Sequence, residues 1–551
     1  MRKKNFKILN LLLTLTISFS MLLSPVLNSN VQAKESKEVK NVILLIPDGT
    51  GITHTTLARW YKGGAPLAMD EIACGLIRTY SSDAVIADSA PAGTAMATGF
   101  KSHTGFIGVL PDVADMPLLN PIPKGEERRP VATVLESAKL KGKATGLVAT
   151  SEFPHATPAS FASHYPKRSD YNTLSEQMVY NNVDVVLAGG YSELTPEKRS
   201  DKEDLIKVLK ERGYGVVRNN EELTNFKGNK VWGLFAPSAM PYDKDRTENT
   251  PSMAAMAAKA INILSKNKEG FFLMVEGSKI DWASHANDPV GVATEVLAFD
   301  NAVKVALDFA KKDKNTVVIV APDHSNGGMS IGDSGLDKTY DNEPLSTFLP
   351  PLKAAKLTGE GLESKINSEK TNIKEVMSYY YAVSDLTDKE EEAIKNAEPG
   401  KLNYTVGPII SKRAHIGWTT TGHSGEEVGL YVYHPKNARL SGVVQNTDIA
   451  KYISEVLGTN LNKTTKTLFL QADKAFKNKG ALVTVDSIDK ENLVLIVSKG
   501  DIEIKFPQNK DIAIVNGKVV KMPGVTVYTG DKEKIDISKW YVSQNAVDLI
   551  K

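Results

Sequence analysis

The sequence predicts an α/β fold: a three-layer sandwich in which helices flank a central, mostly parallel β-sheet, followed by a small β-rich C-terminal module. Two observations predict the sandwich. Several apolar, β-branched runs end abruptly in polar residues, which is typical of strands buried on both faces of a parallel sheet. Helical patterns that close with Gly or Asn lie between these runs. A change to short alternating segments after Asn460 predicts the module.

Five runs are predicted as strands of the main sheet. They are NVILLIPDG (41–49), ATGLVATSE (144–152), VDVVLAGG (183–190), GFFLMVEGS (270–278) and TVVIVAPDHS (316–325). Helical periodicity is found between them in PVATVLESAKLKG, DKEDLIKVLKERG and PSMAAMAAKAINILSKN. In such an alternating fold, ligands bind outside the carboxyl ends of the strands, so we expect the functional site there.

Two segments depart from this alternation. Residues 335–415 are rich in Lys, Glu, Asn, Pro and Ser, and we predict an insertion that caps the site or forms a surface. Residues 461–551 carry short alternating runs separated by Asn-Gly and Thr-Gly turn signals, and we predict that they form the β-rich module. The main domain then spans residues 34–460. Wall retention, contact between copies and simple stabilisation are all open roles for the module.

The N-terminus predicts export. The cationic start MRKKNFK precedes an apolar stretch, and VQA ends at Ala33 with small residues where a signal peptidase reads. Residues 1–33 are therefore predicted as a secretory signal peptide cut before Lys34, which makes the mature protein extracellular, periplasmic or associated with the cell wall. A permanent N-terminal membrane anchor is the alternative. No later stretch approaches the ~18 apolar residues that a membrane span needs.

The charge balance and the single cysteine narrow the function classes. Removing the four basic residues of the signal peptide reduces 67 basic residues to 63, against 65 acidic ones, and a net charge near −2 does not indicate a nucleic-acid binder. Cys74 is the only cysteine, so an exported chain must fold without an intramolecular disulfide. Metal ions could supply stability instead, which makes metal ligands the groups to look for.

Acidic residues and a histidine follow three of the predicted strands. Asp48 ends the first strand, Glu276 the fourth, and Asp323 and His324 the fifth. Each of them alone would be explained as a capping residue or as part of a solvated turn. Because the carboxyl ends of parallel strands meet at one edge of a sheet, their joint placement predicts a shared metal site.

Further candidate ligands lie on other segments. Asp281 and His285 are four residues apart and share one face of a helix, although a surface ion pair would have the same spacing. His423 lies in the Gly-flanked turn TTGHSGEEV, and His155 and Thr157 lie on one side of an extended segment. Oxygen and imidazole ligands without thiolate suit Zn²⁺, Mg²⁺, Mn²⁺ or Co²⁺. The remaining histidines are predicted to be structural or solvated: His54, His103, His164, His415 and His434.

Six motifs carry a resemblance to a known family. In order, they are PDGTG, DSAPAGTAMATG, HATPASF, VEGSKIDWASHAND, APDH and TGHSGEEV. Together they resemble the alkaline phosphatase family, which implies two zinc sites and a third, usually magnesium, site around a serine nucleophile. The resemblance assigns the first zinc ion to Asp281, His285 and His423, and the second to Asp48, Asp323 and His324. It assigns the third ion to Asp48, Thr157 and Glu276, with His155 where some members have Asp.

The resemblance makes Ser89 the nucleophile that attacks a phosphate monoester and becomes a phosphoserine. A serine hydroxyl is a poor nucleophile at its ordinary pKa, and no histidine adjoins Ser89 in the sequence, so a zinc ion is expected to stabilise its alkoxide. Small neighbouring residues would let a metal ion and a phosphate approach, and the start of the following helix would favour an anion. A role for Ser89 as a mere helix cap is the local alternative.

Arg168 takes the place of an arginine that the family has shortly after HATP. Its planar guanidinium can hold two phosphate oxygens, whereas the neighbouring Lys167 offers a point charge that fits less well, and a basic surface turn would explain both residues. The sequence departs from the best-known family pattern at His155 and at Trp282, which stands where some members have Lys. We therefore expect the third site to hold Mg²⁺ loosely and to accept Co²⁺ or Mn²⁺.

Other functions are consistent with parts of the sequence. A sulfatase is disfavoured because Gly93 stands where its motif has an arginine. A phosphodiesterase of the same superfamily could use the same two metals, and Arg168 favours monoesters without excluding diesters. A surface-binding protein with a degenerate enzyme domain would lack a ligand, and none is missing from the six motifs. The physiological substrate, a homodimer and cell-wall contact through the module remain open.

Overall fold

Ten strands form one sheet at the centre of the molecule. The computed structural model describes residues 37–551, and the predicted signal peptide lies outside the described residues. In order across the sheet, the strands are Gly442–Gln445, Ala73–Arg78, Val428–Tyr433, Thr316–Val320, Asn41–Pro47, Phe271–Gly277, Ala144–Glu152, Val185–Gly189, Val231–Leu234 and Gly215–Val217. Neighbouring strands run parallel, except that Val428–Tyr433 is antiparallel to both strands beside it.

Both faces of this sheet are covered. In strand Asn41–Pro47 every residue is buried; Val42 and Leu44 belong to one hydrophobic core, whereas Ile43 and Leu45 belong to another. Successive side chains of a strand point to opposite faces, so a strand that is covered on both sides needs apolar residues at every position. The continuous apolar runs in the sequence follow from this burial, and the predicted three-layer sandwich is confirmed.

The helices divide between the two cores. The core that contains Ile43 also contains residues of Ile52–Tyr61, Asn220–Asn225, Met253–Leu264, Lys279–His285, Pro289–Asp313, Leu345–Ala354, Gly359–Glu363, Ile373–Tyr381, Asp388–Asn396 and Asn403–Arg413. The core that contains Val42 also contains residues of Ser89–Thr98, Val134–Leu140, Ala156–Ala162, Tyr171–Tyr180, Leu205–Glu211, Asn446–Val456 and Leu461–Leu468. The predicted insertion, 335–415, is thus a helical segment that extends the first of these layers.

Five of the ten strands were not predicted from the sequence. They are Ala73–Arg78, Gly215–Val217, Val231–Leu234, Val428–Tyr433 and Gly442–Gln445. Four of them lie in the outer positions of the sheet, and most are too short for a clear periodic pattern. Ala73–Arg78 and Gly442–Gln445 also keep exposed residues, which interrupts the apolar pattern that marks a strand buried on both faces.

The C-terminal residues form small antiparallel sheets around a third hydrophobic core that contains Trp540. One sheet has five strands, Leu482–Asp486, Val494–Lys499, Ile502–Pro507, Ile512–Val515 and Lys518–Lys521; the other has three, Leu470–Gln471, Trp540–Val542 and Val527–Tyr528. Helices Ala472–Lys477 and Gln544–Val547 contribute to the same core. A predicted β-rich module is therefore present, within one unit that spans Glu38–Lys551.

One short turn of this module makes several polar contacts with the rest of the chain. Asn509 donates a hydrogen bond of 2.7 Å to Glu176, and the ammonium of Lys510 lies 2.8 Å from Glu203. The Arg212 guanidinium lies 2.6 Å from the carboxylate of the next residue in the turn, Asp511. Because Glu176 and Asp511 are buried, these bonds satisfy groups that would otherwise be costly to remove from water.

The strand ends bring the predicted ligands together. Strands Thr316–Val320, Asn41–Pro47 and Phe271–Gly277 are neighbours and run parallel, so their carboxyl ends lie side by side. The segments that follow these strands carry the acidic residues and the histidine that the sequence singled out. In the described part of the chain, no helix has both the length and the apolar character needed to cross a membrane.

Candidate active site

Four side chains at the carboxyl ends of the three central strands form the floor of the site. Asp48 directly follows Asn41–Pro47, Glu276 lies in Phe271–Gly277, and Asp323 and His324 follow Thr316–Val320. All four are 0% exposed. The sheet therefore fixes three carboxylates and an imidazole out of contact with bulk water.

Gly49 allows a fourth carboxylate to join this floor. Its φ is +66°, a conformation that favours glycine, and a Cβ at this position would lie 2.5 Å from an oxygen of Asp281. The Gly49 N–H also donates a hydrogen bond of 3.2 Å to Asp323. A glycine directly after Asp48 is thus required for Asp281 to approach the strand ends.

Asp281, His285 and His423 form one ligand group. Asp281 and His285 lie on helix Lys279–His285, with Asp281 Oδ2 3.2 Å from His285 Nε2. His423 lies in a short strand that pairs with Ser325–Asn326, and its Nε2 lies 3.2 Å from His285 Nε2 and 3.5 Å from Asp281 Oδ1. Two ring nitrogens and two carboxylate oxygens therefore converge.

The other ring nitrogens show which way the imidazole lone pairs point. His285 Nδ1 lies 2.6 Å from the Thr421 carbonyl oxygen, and His423 Nδ1 lies 2.8 Å from the Ala87 carbonyl oxygen. A carbonyl oxygen can only accept, so each Nδ1 carries its hydrogen and donates. In the neutral rings both Nε2 lone pairs then face each other and Asp281, an arrangement that suits a metal ion between them.

His324 repeats this pattern in a second group. Its Nδ1 lies 3.3 Å from the Ser325 carbonyl oxygen, and its Nε2 lies 3.2 Å from Asp323 Oδ2 and 3.5 Å from Asp48 Oδ1. Neither oxygen of Asp48 has a hydrogen-bond partner among residues 37–551, although both are buried. Buried polar atoms are normally satisfied, so these oxygens fit a cation ligand set.

Asp48 also belongs to a third group, with His155 and Glu276. The Thr157 hydroxyl faces the Glu276 carboxylate from helix Ala156–Ala162. Glu276 Oε1, Thr157 Oγ1 and His155 Nδ1 are all buried and lack a hydrogen-bond partner within the described range. Oxygen ligands dominate this group, which favours a harder ion than the imidazole-rich groups do.

The electrostatics of the floor reflect crowded negative charge. Burial raises the pKa of Asp48 well above its usual value, and the carboxylates of Asp323, Asp281 and Glu276 raise it further. Burial also raises the pKa of Glu276 to about 8. Burial would raise the pKa of Asp281 too, but the hydrogen bond and charge of His285 hold it below its usual value. Bound cations would relieve this repulsion.

Ser89 lies at the first turn of helix Ser89–Thr98, with its hydroxyl over the floor. Asp88 caps the helix by accepting a hydrogen bond from the Ala90 N–H, and Ser89 Oγ lies 3.1 Å from His324 Nε2. Every residue of this helix is buried. A Cβ at Gly93 would lie 3.0 Å from the Ser160 hydroxyl, so the small residues of this helix allow close packing against helix Ala156–Ala162.

Arg168 reaches the same place from a loop. Its guanidinium forms an ion pair with Asp88, and its Nη2 lies 3.1 Å from His155 Nε2. Burial, followed by the Arg168 charge, lowers the pKa of His155 to about 3, so His155 is neutral. Lys167, the alternative to Arg168, is exposed.

The structure thus brings all the predicted site residues to one edge of the sheet. It also adds residues that the sequence analysis missed: Asn326 donates a hydrogen bond of 2.6 Å to Asp281, and Asp88 holds Arg168. Asp88 is the first residue of the motif DSAPAGTAMATG, and Asn326 directly follows the run TVVIVAPDHS, which was the only signal available for them. The histidines set aside have other partners; for example, His164 lies 2.9 Å from Glu136 and His54 lies 3.0 Å from Ser284.

A cavity of about 760 Å³ opens beside Ser89. Its lining includes Ser89, Arg168, Asp281, His285 and His423, which form the phosphate end of the cavity. The insertion contributes Glu360, Gly400, Lys401, Asn403 and Tyr404 to the same lining. The insertion therefore borders the cavity.

The fold and this site define a metal-binding hydrolase. The family model for alkaline phosphatase matches residues 39–459. Alkaline phosphatase 3 of Bacillus subtilis is 39% identical over 485 residues, which cover 84% of this chain and 99% of that protein. The chain belongs to the alkaline phosphatase family.

Solved structures agree with this assignment. The crystal structure of Thermus thermophilus alkaline phosphatase matches with a TM-score of 0.67 at 27% identity, covering 77% of this chain and 92% of that one. The alkaline phosphatase TAB5, in a variant that replaces a histidine by aspartate and has Mg bound in its M3 site, matches with a TM-score of 0.56 at 28% identity, covering 77% and 100%. Together with the family match, these structures support the predicted fold and phosphatase activity.

Chelation is expected to lower the melting temperature of the protein, because ions that bind only the folded state stabilise it by mass action. The change Asp48→Asn keeps the shape of the side chain but removes one buried negative charge. We therefore expect metal-stripped Asp48→Asn to melt above metal-stripped wild type, and to gain less when metal is restored.

Calorimetric melting of both proteins, with and without chelator, measures this effect. Asp112→Asn is the control, because Asp112 is partly exposed and pairs with Arg128 away from the site. A melting temperature of wild type that does not respond to chelation would show that the carboxylate floor is stable without ions.

Proposed function

We propose that this phosphatase hydrolyses phosphate monoesters to an alcohol and inorganic phosphate through a phosphoserine intermediate on Ser89. The observation that carries the proposal is the convergence on Ser89 of two ligand groups and a guanidinium. His324 Nε2 lies 3.1 Å from Ser89 Oγ, and Arg168 lines the same cavity. Each of the three Nε2 atoms also faces a carboxylate, which supports a role of these imidazoles as metal ligands.

We propose two Zn²⁺ and one Mg²⁺ as the ions of the site. Asp281, His285 and His423 would hold one Zn²⁺, and Asp48, Asp323 and His324 the other. Asp48, His155, Thr157 and Glu276 would hold Mg²⁺. When bound, the ions supply positive charge that stabilises the alkoxide of the attacking serine and the oxygen of the leaving group.

The proposed reaction consists of two displacements at phosphorus. Ser89 Oγ loses its proton and attacks phosphorus in line; the new bond to phosphorus forms as the bond to the ester oxygen breaks, and the alcohol departs with a proton. Water then attacks the phosphoserine: its oxygen bonds to phosphorus as the bond to Ser89 Oγ breaks, one proton of the water returns to Ser89 Oγ, and phosphate leaves. The first turn of helix Ser89–Thr98 presents backbone N–H groups that favour an anion at this position.

Arg168 is proposed to bind the phosphate. A guanidinium has five N–H donors. Asp88 and His155 engage two of its nitrogens and hold it at the cavity wall, so donors remain for two non-bridging oxygens of a monoester. A diester has one charged oxygen fewer to bind, which is why this arrangement favours monoesters.

The site of action is proposed from the N-terminal sequence alone. A signal peptide over residues 1–33 would export the enzyme to the cell exterior, the periplasm or the cell wall. Homodimer formation and cell-wall contact through the β-rich module stay predictions from the sequence.

Ser89→Ala is expected to abolish phosphoenzyme formation and to lower monoester hydrolysis by about a thousandfold or more, because the covalent route is lost. Acid-quenched wild type should carry phosphate on Ser89. Thr94 is the internal control: it lies in the same buried helix, and its hydroxyl donates a hydrogen bond to the carbonyl oxygen of Phe106, which lies outside that helix. Phosphate found on Thr94 or Thr98 would contradict the assignment.

Arg168→Ala is expected to weaken monoester and phosphate binding by about 1.5 to 3 kcal/mol, the usual value of a charge-assisted hydrogen bond. Hydrolysis of an aryl phosphate diester should lose less. Lys167→Ala, which removes an adjacent exposed charge, should change neither reaction. Equal losses of kcat/KM on the monoester and the diester would favour the alternative function, phosphodiesterase.

His155→Asp combined with Trp282→Lys is expected to tighten Mg²⁺ binding and to strengthen inhibition by phosphate. The aspartate adds negative charge for a hard ion, and the lysine adds a cation near the phosphate. In wild type, Co²⁺ or Mn²⁺ should activate more than Mg²⁺. The TAB5 histidine-to-aspartate variant has Mg bound in its M3 site, which supports the expected preference of an aspartate site for Mg²⁺.

Calorimetric titration of metal-stripped protein at fixed zinc measures the Mg²⁺ affinity directly. Trp282→Lys alone separates the effect on phosphate from the effect on the ion. An Mg²⁺ affinity that is the same in the double variant and in wild type would show that the neutral His155 costs the third site nothing.

A further inference from the structure

The cavity beside Ser89 is far larger than a phosphate group. Its volume of about 760 Å³ is in the range of pockets that enclose small organic ligands. The phosphate end accounts for only part of its lining. The rest, to which Trp282 and the insertion contribute, is left to face whatever is attached to the phosphate.

We propose that this second part of the lining is a leaving-group subsite that selects phosphate monoesters with a planar aromatic ring. The inference rests on the proposed monoesterase function and deepens it. We define the ring subsite as Trp282, Tyr404, Lys401, Asn403 and Glu360, all of which line the cavity.

Two aromatic side chains give the ring subsite flat apolar surfaces. Tyr404 lies in the first turn of helix Asn403–Arg413, is 45% exposed and lines the cavity. Trp282 follows Asp281 on the site helix, and its ring lies 5.9 Å from the His155 ring in an edge-on arrangement. Trp282 therefore spans the phosphate end and the far end of the cavity. Planar rings stack on such side chains, whereas an aliphatic alcohol gains little from them.

The polar groups of the wall favour an uncharged ring over a charged one. The Glu360 carboxylate is already paired: Lys279 Nζ lies 3.1 and 3.0 Å from its two oxygens. Lys279 is only 2% exposed, and its ammonium lies 4.3 Å from the Tyr242 ring and 4.7 Å from the Trp282 ring. Glu360 thus offers little net charge to a cation. It also ties the insertion to helix Lys279–His285, which keeps the wall in place.

Lys401 completes the ring subsite with a polar group, whereas the Asn403 amide is buried and its Oδ1 accepts a hydrogen bond from the Gly359 N–H. Lys401 Nζ lies 4.9 Å from the centre of the Tyr404 ring and lines the cavity. An ammonium beside an aromatic side chain can donate a hydrogen bond to an acceptor at the edge of a heteroaromatic ring. The same surfaces also accept a simple aryl ring, so aryl and nucleoside monophosphates share the chemistry that the subsite recognises.

Tyr404→Ala tests this inference, with three substrates: phenyl phosphate, adenosine 5′-monophosphate and glycerol 2-phosphate. Each variant is compared with wild type on the same substrate, which cancels intrinsic differences in leaving-group reactivity. Loss of one stacking partner should lower the preference for ring substrates over glycerol 2-phosphate, taken as the ratio of kcat/KM values, by about tenfold. Tyr404→Phe keeps the ring and should retain the preference.

Tyr379→Ala is the matched control, since Tyr379 is a tyrosine of the same insertion that is 61% exposed and does not line the cavity. It should leave all three kcat/KM values unchanged. A loss confined to adenosine monophosphate would support a nucleoside subsite, and a loss confined to phenyl phosphate an aryl subsite. Equal kcat/KM losses on all three substrates, or no loss, would overturn the inference. If wild type hydrolysed none of them, the proposed function itself would fail.

Discussion

The constraint on which the site depends is the burial of four carboxylates at one edge of the sheet. Asp48, Glu276, Asp281 and Asp323 are each at most 4% exposed. Two like charges about 4 Å apart repel by about 4 kcal/mol at the effective dielectric constant of a protein. The sheet can hold such a group only if cations or protons neutralise it, and the raised pKa values of Asp48 and Glu276 reflect that requirement. Close-packed strands on both sides prevent the group from spreading apart.

The burial of these carboxylates explains several features of the residues around them. Gly49 has no side chain because Asp281 must approach Asp48 closely. His285 and His423 use their Nδ1 hydrogens on backbone carbonyls, which turns both Nε2 lone pairs towards Asp281. Ser89 gains a reactive position because its helix begins directly over this group. Backbone carbonyl oxygens thus orient the imidazoles of His285, His324 and His423, and that orientation separates a ligand set from a chance cluster of acids.

Sequence patterns predicted the five central strands of the sheet but not the five strands at its two ends. The strand that ends at Asp48 is buried on both faces, so its apolar run is continuous and easily recognised. Strand Val428–Tyr433 was not predicted, because its apolar run is short. Its antiparallel direction could not be predicted either, since a short apolar run does not indicate strand direction. The ligands could be predicted because they follow recognisable strands and lie in family motifs. Tyr404 and Glu360 could not, since their place at the cavity depends on how the helices of the insertion pack.

The phosphate end of the cavity and the ring subsite also differ in how tightly the fold determines their geometry. Phosphate chemistry depends on strand ends whose register is fixed by hydrogen bonds to both neighbours, so a shift of one strand would displace its ligands relative to those of the other strands. The ring subsite depends on insertion helices that contact helix Lys279–His285 through the pair Lys279–Glu360, together with apolar packing in the first core. Replacing exposed residues such as Tyr404 changes no ligand and removes little core. A change at Tyr404 therefore leaves the phosphate end intact, whereas a change at Trp282 also affects the phosphate end, because its ring contacts that of His155.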